Sequence, residues 1–402
     1  MNTEEYVKNK WKETERFQPR DSGTLIGLPY RYTVPTATGM FNELYYWDTY
    51  FANKGLLIDG KADLAINNCK NMLFLVEKYG YMPNGSRTYY LGRSQPPYLA
   101  LMVADLYDFT KDAEFLKTAF PALKKEYDFW ETKRATPTGL NRYFNEHTEK
   151  ECRENYETLT KRVRSPFTDP FEGGRNLLAE AESGWDFNPR FHGMCTHFNP
   201  VDLNANLYAY EKLFARFERE LSVSDGSVWD DRAASRQKKI NALCWNTQKS
   251  IYCDYDFTEN QTASLCSAAS FWPYFMKVAP EEKICGLQNA LRELEAPYGI
   301  LTATKTREKY QWGYPNVWSP CVYAAVIGCL NYGLKKEAGR IAEKYILLIE
   351  KNFRATGGLW EKYNAVDGTT QCANEYEMPQ MMGWTAGVYK AFKKMKKERF
   401  DR

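Results

Sequence analysis

Helical periodicity runs through nearly the whole chain and restricts its fold more than any other feature. In VDLNANLYAYEKLFARFEREL the apolar residues Leu203, Leu207, Tyr210, Phe214, Phe217 and Leu221 step by three or four, which sets them on one face of a helix. AEFLKTAFPALKKEYDFW carries the same stripe through Leu116, Ala119, Leu123, Tyr127 and Trp130, with Pro121 predicted to kink or break it. KKEAGRIAEKYILLIEKNF repeats it through Ala338, Ile341, Tyr345, Leu348 and Ile349. Strand-like alternation is confined to short stretches such as GTLIGLPYRYTV and YCDYDF. Helical blocks recur at roughly thirty-residue intervals between Gly, Pro and Asn clusters. Antiparallel hairpins follow, with about twelve helices in all. The expected architecture is all-α, an (α/α)6 barrel built as a double ring with its loops gathered at one end. No Ser/Gly or Pro linker interrupts the 402 residues, so a single domain over 1–402 is expected, with a loop-rich insertion around 137–190. Loops of that length inside a compact domain are usually functional.

Charge narrows the partners. Lys plus Arg number 54 against 51 Asp plus Glu, and a net charge of +3 gives no basic footprint for nucleic acid or an anionic membrane. Mean hydropathy is −0.61, and no run of 18 apolar residues occurs. The N-terminal stretch MNTEEYVKNKWKETERF is charged, without an apolar signal region behind it, and predicts a cytoplasmic protein. Ten scattered Cys lack any C-x-x-C pair, which predicts reduced and mostly buried thiols. HGMCTH places His192, Cys195 and His197 close together, but their spacing matches no zinc motif, and FEGGRN lacks the spacing of a phosphate loop. Neither metal nor cofactor is expected.

The enrichment that does point somewhere is aromatic, at 15% of the chain. FNELYYWDTYF sets Glu43 and Asp48 among Tyr, Trp and Phe rings, and three further clusters, PNGSRTYYLGRSQPP, AESGWDFNPR and GLWEKYNAVDG, share that composition. Acids and amides beside flat rings suit a sugar, whose C–H face stacks on an aromatic ring while its hydroxyls bond to carboxylates. The expected partner is a small carbohydrate.

In their order along the chain these blocks resemble the trehalase family of inverting glycoside hydrolases, from about residue 30 to 390. Phe41, Glu43, Tyr45, Trp47, Asp48 and Tyr50 match its signature P-G-G-R-F-x-E-x-Y-x-W-D-x-Y in register. Pro83-Asn84-Gly85 through Arg93-Ser94-Gln95-Pro96-Pro97 is similar to its P-N-G block, ESGWDFNPR to its S-G-W-D block and YQWGYPNVWSP to its second signature. EKYN and NEYEMPQMMGWTAGV are similar to its closing blocks. The resemblance implies Asp186 as general acid and Glu361 as general base, ~6.5–9.5 Å apart to leave room for a water. It implies sugar-binding roles for Phe41, Tyr45, Trp47, Asp48, Asn84, Arg93, Gln95, Gly184, Trp312 and Glu375. Trp185 and Phe187 beside Asp186 would desolvate its carboxyl and hold it protonated. Glu43 has the alternative of pairing with a neighbouring Arg.

The departures from the family pattern gather on the leaving-group side. Met40 stands where the family has Arg, after Ala37-Thr38-Gly39 in place of P-G-G, while Gly313 and Val317 replace an Asp and a Gly. Thr148 and Lys150 fall where the family carries an Arg and a Glu that hold the second sugar. Such losses forfeit roughly 1–3 kcal/mol per unpaired polar group, and imply an α-glucoside whose second half need not be glucose. Two alternatives stand beside this reading. One is a different α/α-barrel hydrolase, acting on a glucosyl or mannosyl glycerate, with Lys150 or Arg153 supplying a cationic pocket. The other is a non-catalytic sugar-binding protein on the same scaffold.

Overall fold

A computed structural model describes residues 1–37, 39–380 and 383–400. Thr38, Met381 and Met382, which fall in two of the blocks above, lie outside the described residues, as do 401 and 402. Fourteen α-helices form among the described residues: α1 Thr3–Thr14, α2 Tyr46–Ile58, α3 Ala62–Tyr79, α4 Leu99–Thr110, α5 Ala113–Lys133, α6 Glu149–Leu159, α7 Pro170–Glu182, α8 Val201–Glu220, α9 Ser227–Leu243, α10 Trp272–Phe275, α11 Ile284–Leu294, α12 Ser319–Asn331, α13 Lys335–Thr356 and α14 Gly383–Met395.

Burial sorts them into two layers. Along α2, α8, α10, α12 and α14 most residues are buried on every side, as expected of helices enclosed by others. With α4 they touch in the cycle α2, α4, α8, α10, α12, α14 and back to α2, a closed ring of six. The helices α3, α5, α9, α11 and α13 alternate with them along the chain and, with α1, form the outer layer. These bury one stripe, and in α13 and α5 it is the stripe read from the sequence. The molecule is an (α/α)6 barrel. Helix α5 runs through Pro121 without ending, so the break allowed for there does not occur. Pro121 and Lys117, whose carbonyl loses its amide donor, both face outward, where water can take the donor's place.

Two devices lock the ring. Gly387 on α14 sits so close to α2 that a Cβ there would lie 1.9 Å from the Phe51 carbonyl oxygen, so only glycine permits this helix contact. Elsewhere Glu126 of α5, fully buried, accepts from the Tyr46 hydroxyl at 2.5 Å and the Tyr210 hydroxyl at 2.9 Å. Tyr46 in turn accepts from the amides of Tyr98 and Leu99 at 3.0 Å each, satisfying donors at the start of α4 that no helical carbonyl can reach.

Within 137–190, between α5 and α8, the inserted α6 and α7 pack against each other, and the rest is irregular. FEGGRN opens α7, where Gly173 and Gly174 are buried. Strands are short: Tyr32–Thr33 pairs with Glu15–Arg16, Tyr255–Asp256 with Phe198–Asn199, and Asn316–Trp318 with Lys362–Asn364. All ten cysteines are free, eight of them buried. No helix among the described residues is long and apolar enough to cross a membrane.

Candidate active site

A cavity of about 460 Å3 opens among the starts of α2 and α14, the loop 84–95, the turn after α7 and the segments 311–318 and 361–376. It brings together all twelve residues singled out from the sequence: Phe41, Tyr45, Trp47, Asp48, Asn84, Arg93, Gln95, Gly184, Asp186, Trp312, Glu361 and Glu375.

Asp48 reaches it from the first turn of α2, and burial raises its carboxyl to about 8 against the pull of a backbone amide. The chain entering α2 is tied to the 84–95 loop. Tyr46 N donates to the Asn84 carbonyl at 3.1 Å, Asn84 N to that of Arg93 at 3.0 Å, and Trp47 N to Gln95 Oε1 at 3.3 Å. Arg93 stacks over the Tyr90 ring at 5.1 Å and forms no ion pair among the described residues, which leaves its guanidinium for a ligand. Phe41 holds a left-handed φ of 63° and packs edge-on against Tyr45 and Tyr376. Glu43 is turned away from the cavity: it accepts from the Tyr45 hydroxyl at 2.6 Å and pairs with Arg87 at 3.0 Å.

The wall is largely tryptophan. Trp312 stacks on Trp318 with centroids 3.8 Å apart and planes 5° from parallel, and Trp47, Trp185 and Trp384 lie within 6.1 Å of it. Gly184 fits beneath Trp47 because it has no Cβ, which would stand 2.8 Å from the indole, and because its φ of 72° suits glycine. The turn 183–190 that follows is pinned from below. Glu182 and Arg134, both fully buried, form a two-point ion pair at 2.8 and 2.9 Å, and Glu182 also accepts from the amides of Ser94 and Phe144. One carboxylate thus anchors both the Arg93–Gln95 loop and the approach to Asp186. Arg190, paired to Asp202 at 2.5 Å and Asp254 at 2.7 Å, lies over Trp185.

Asp186 is half-buried at the cavity wall, and desolvation raises its carboxyl to about 6; Arg162, a backbone amide and Arg93 pull it down, and Glu361 pushes it up. Glu375 stands beside it, raised to about 7 by burial and by Asp186, accepting from Phe187 N at 3.2 Å and held by Arg162 at 2.7 Å. Glu361 sits at the start of the strand Lys362–Asn364, buried, with Lys362 Nζ at 2.7 Å on one oxygen and the Tyr376 hydroxyl at 2.5 Å on the other. Gln311 ties the backbone of Asp186 to the lysine that pairs with Glu361: its Nε2 donates to the Asp186 backbone carbonyl and its Oε1 accepts from Lys362 Nζ, both at 3.3 Å.

The structure also adds and removes. Arg162, Gln311, Tyr376, Tyr90, Trp318 and Trp384 line the cavity without having been assigned to it, and Met40, read from the sequence as a departure on the leaving-group side, lines it too. Lys150 and Arg153, either of which would supply the cationic pocket of the glycerate alternative, are exposed on α6 and pair with Glu154, Glu149 and Asp169; Thr148 caps that helix. The cation that this insertion brings to the site is Arg162, carried there by the turn after α6. In HGMCTH, His192 is exposed, Cys195 is buried and His197 packs against Phe167.

A helical double ring with carboxyl groups over a tryptophan wall defines a sugar-handling barrel, and solved structures share it. Mannosylglycerate hydrolase from Thermus thermophilus in complex with glucose superposes with a TM-score of 0.68 over 97% of this chain and 99% of that one, at 17% identity. Neutral trehalase Nth1 from Saccharomyces cerevisiae reaches 0.79 over 98% of this chain and 80% of that one, at 28% identity. The trehalase family profile matches residues 2–396, and the chain belongs to that family. A periplasmic trehalase of Escherichia coli O1:K1 / APEC is 32% identical over a 415-residue alignment covering 96% of this chain and 72% of the relative. The chain is a glycoside hydrolase, which sets aside the non-catalytic binding protein. The expectation of a cytoplasmic protein is overturned by the same relatives, which are named periplasmic. The lack of an apolar run in these residues does not report the compartment.

Proposed function

We propose that this enzyme hydrolyses the α-glucosidic bond of trehalose with inversion, with Asp186 as general acid and Glu361 as general base, the whole chain acting as one domain around the cavity. The observation that carries the assignment is the contrast between two of the cavity's four carboxyl groups, the two whose sequence blocks match the family's acid and base positions. Asp186 is raised to about 6 by burial, which keeps a proton available near neutrality, whereas Glu361 is surrounded by the donors Lys362 and Tyr376. Family membership and relatives named for trehalose support the substrate.

In the reaction Asp186 gives its proton to the glycosidic oxygen as the C–O bond breaks. Glu361 takes a proton from a water that attacks the anomeric carbon from the opposite face. Asp48, Arg93, Gln95 and Asn84 hold hydroxyls of the sugar being attacked, and Trp47, Trp312 and Phe41 cover its apolar face. Trehalose turnover by Asp186→Asn and Glu361→Gln is the test. Each variant is expected to lose about 10²–10⁴-fold in kcat and to keep binding trehalose in calorimetry. Full activity in either variant overturns that residue's role.

A further inference from the structure

Beside the catalytic cavity lies a second hollow of about 540 Å3. The two share Arg162, Gln311 and Glu375 as a common wall, so the second hollow borders the first on the side of those residues. Arg164, Arg307 and Lys309 add three cations to Arg162 on its walls, against the carboxylates of Glu308 and Glu375. Both carboxylates are engaged: Glu375 is held by Arg162 at 2.7 Å, and Glu308 faces Arg164 at 3.5 Å while accepting from the Tyr310 hydroxyl at 2.9 Å. Among the described residues Arg307 and Lys309 form no ion pair, so the hollow keeps a positive excess that its own acids do not cancel.

Its position relative to the chemistry gives that excess a meaning. A general acid protonates the leaving oxygen, so the leaving group lies on the acid's side of the bond. Arg162, Glu375 and Gln311 all touch the Asp186 segment, Arg162 over the Phe187 ring at 5.9 Å, Glu375 through the Phe187 amide and Gln311 through the Asp186 carbonyl, and the three form the shared wall. Gly313, where the family pattern has Asp, contributes no carboxylate, and its Cβ position would stand 3.3 Å from the Tyr310 Cβ at the edge of this hollow.

We propose that the second hollow seats an anionic group, a phosphate or a carboxylate, on the leaving-group half of the α-glucoside; the inference rests on the hydrolase reading above. Neutral trehalose leaves Arg307 and Lys309 unused, whereas an anion brings its charge to them. Because these cations are exposed, their attraction is long-ranged at low salt and screened within ~8 Å at physiological ionic strength.

The experiment compares kcat/KM for α,α-trehalose, trehalose 6-phosphate and glucosyl glycerate at about 0.01 M and about 0.3 M ionic strength, in the wild type and in Arg307→Glu/Lys309→Glu. Binding of the same probes to Asp186→Asn is measured by calorimetry. At low salt at least one anionic probe is expected to exceed trehalose by about tenfold. The advantage shrinks at high salt and falls by about tenfold or more on charge reversal. Which probe gains tells phosphate from carboxylate. Anionic probes at or below trehalose, or a preference indifferent to charge reversal, overturn the proposal. If no probe is cleaved, the hydrolase reading fails on its own, and the calorimetry still decides: tighter binding of an anionic probe upholds the anion seat, and equal or weaker binding overturns it.

Discussion

Arg162 holds Glu375 and is the largest charge opposing the rise of Asp186's pKa. A general acid must be protonated, so activity falls as pH rises through the value of about 6 at which burial, offset by Arg162 and Arg93, leaves the Asp186 carboxyl. Arg162→Gln removes a downward pull. The alkaline limb of kcat/KM against pH is therefore expected to move upward, by about 0.5–1 unit, and a limb that stays or moves down contradicts this role. The residue scale also shows where sequence reading stops. Asp48, Asp186 and Glu361 lie in signature-like blocks and were legible by order and spacing. Gln311 and Tyr376 stand inside such blocks too, but nothing in their residue type announced that one would tie the Asp186 backbone to Lys362 and the other donate to Glu361. Arg162 stands in no block. Its place depends on how the inserted helices fold back, which is also why Lys150 and Arg153, equally basic in sequence, point to solvent.

At the scale of elements, buried ionic and hydroxyl nodes aim the site. Glu182 joins the ends of α5 and α7 to the Ser94 amide, and Glu126 joins α2, α4, α5 and α8. Glu182→Gln leaves the Arg134 guanidinium buried with a weaker partner. Loss of one member of such a pair costs about 3–5 kcal/mol, so a lower urea midpoint is expected, together with reduced kcat/KM, because the loop of Arg93 and Gln95 loses its anchor. A stable variant with unchanged activity would show that Glu182 positions nothing. Tyr46→Phe is expected to cost about 1–3 kcal/mol, read from the same urea transition, since it strands one oxygen of Glu126, the other keeping Tyr210, and two amides at the start of α4. Outer helices were readable because one face is apolar and the other wet. The inner ring was less so: α12 is buried nearly throughout and shows no stripe.

For the whole molecule, burial of acids in and around the barrel has a consequence for stability. Desolvation raises Asp48 and Glu180 to about 8 and Glu126 to about 7, and Glu375 reaches about 7. Unfolded carboxyls titrate near 4, so between about pH 4 and 8 the folded state holds more protons than the unfolded one, and stability falls as pH rises through that window. His147, depressed to about 4 by burial, has the opposite sign below its unfolded value of about 6.5. The clean range is thus above pH 6.5. The melting temperature is expected to decline from there to pH 8, and a flat or rising Tm across that interval would contradict the buried-acid account.

The central claim is that Asp186 and Glu361 work from opposite faces of one glycosidic bond, and the anomeric configuration of the first products tests it most directly. Trehalose incubated with the enzyme and followed by proton NMR, before mutarotation mixes the anomers, is predicted to release α- and β-glucose in equal amounts. Water inverts one ring while the other keeps the configuration it had. Release of α-glucose alone would mean retention and would contradict the assignment of the two carboxyl groups.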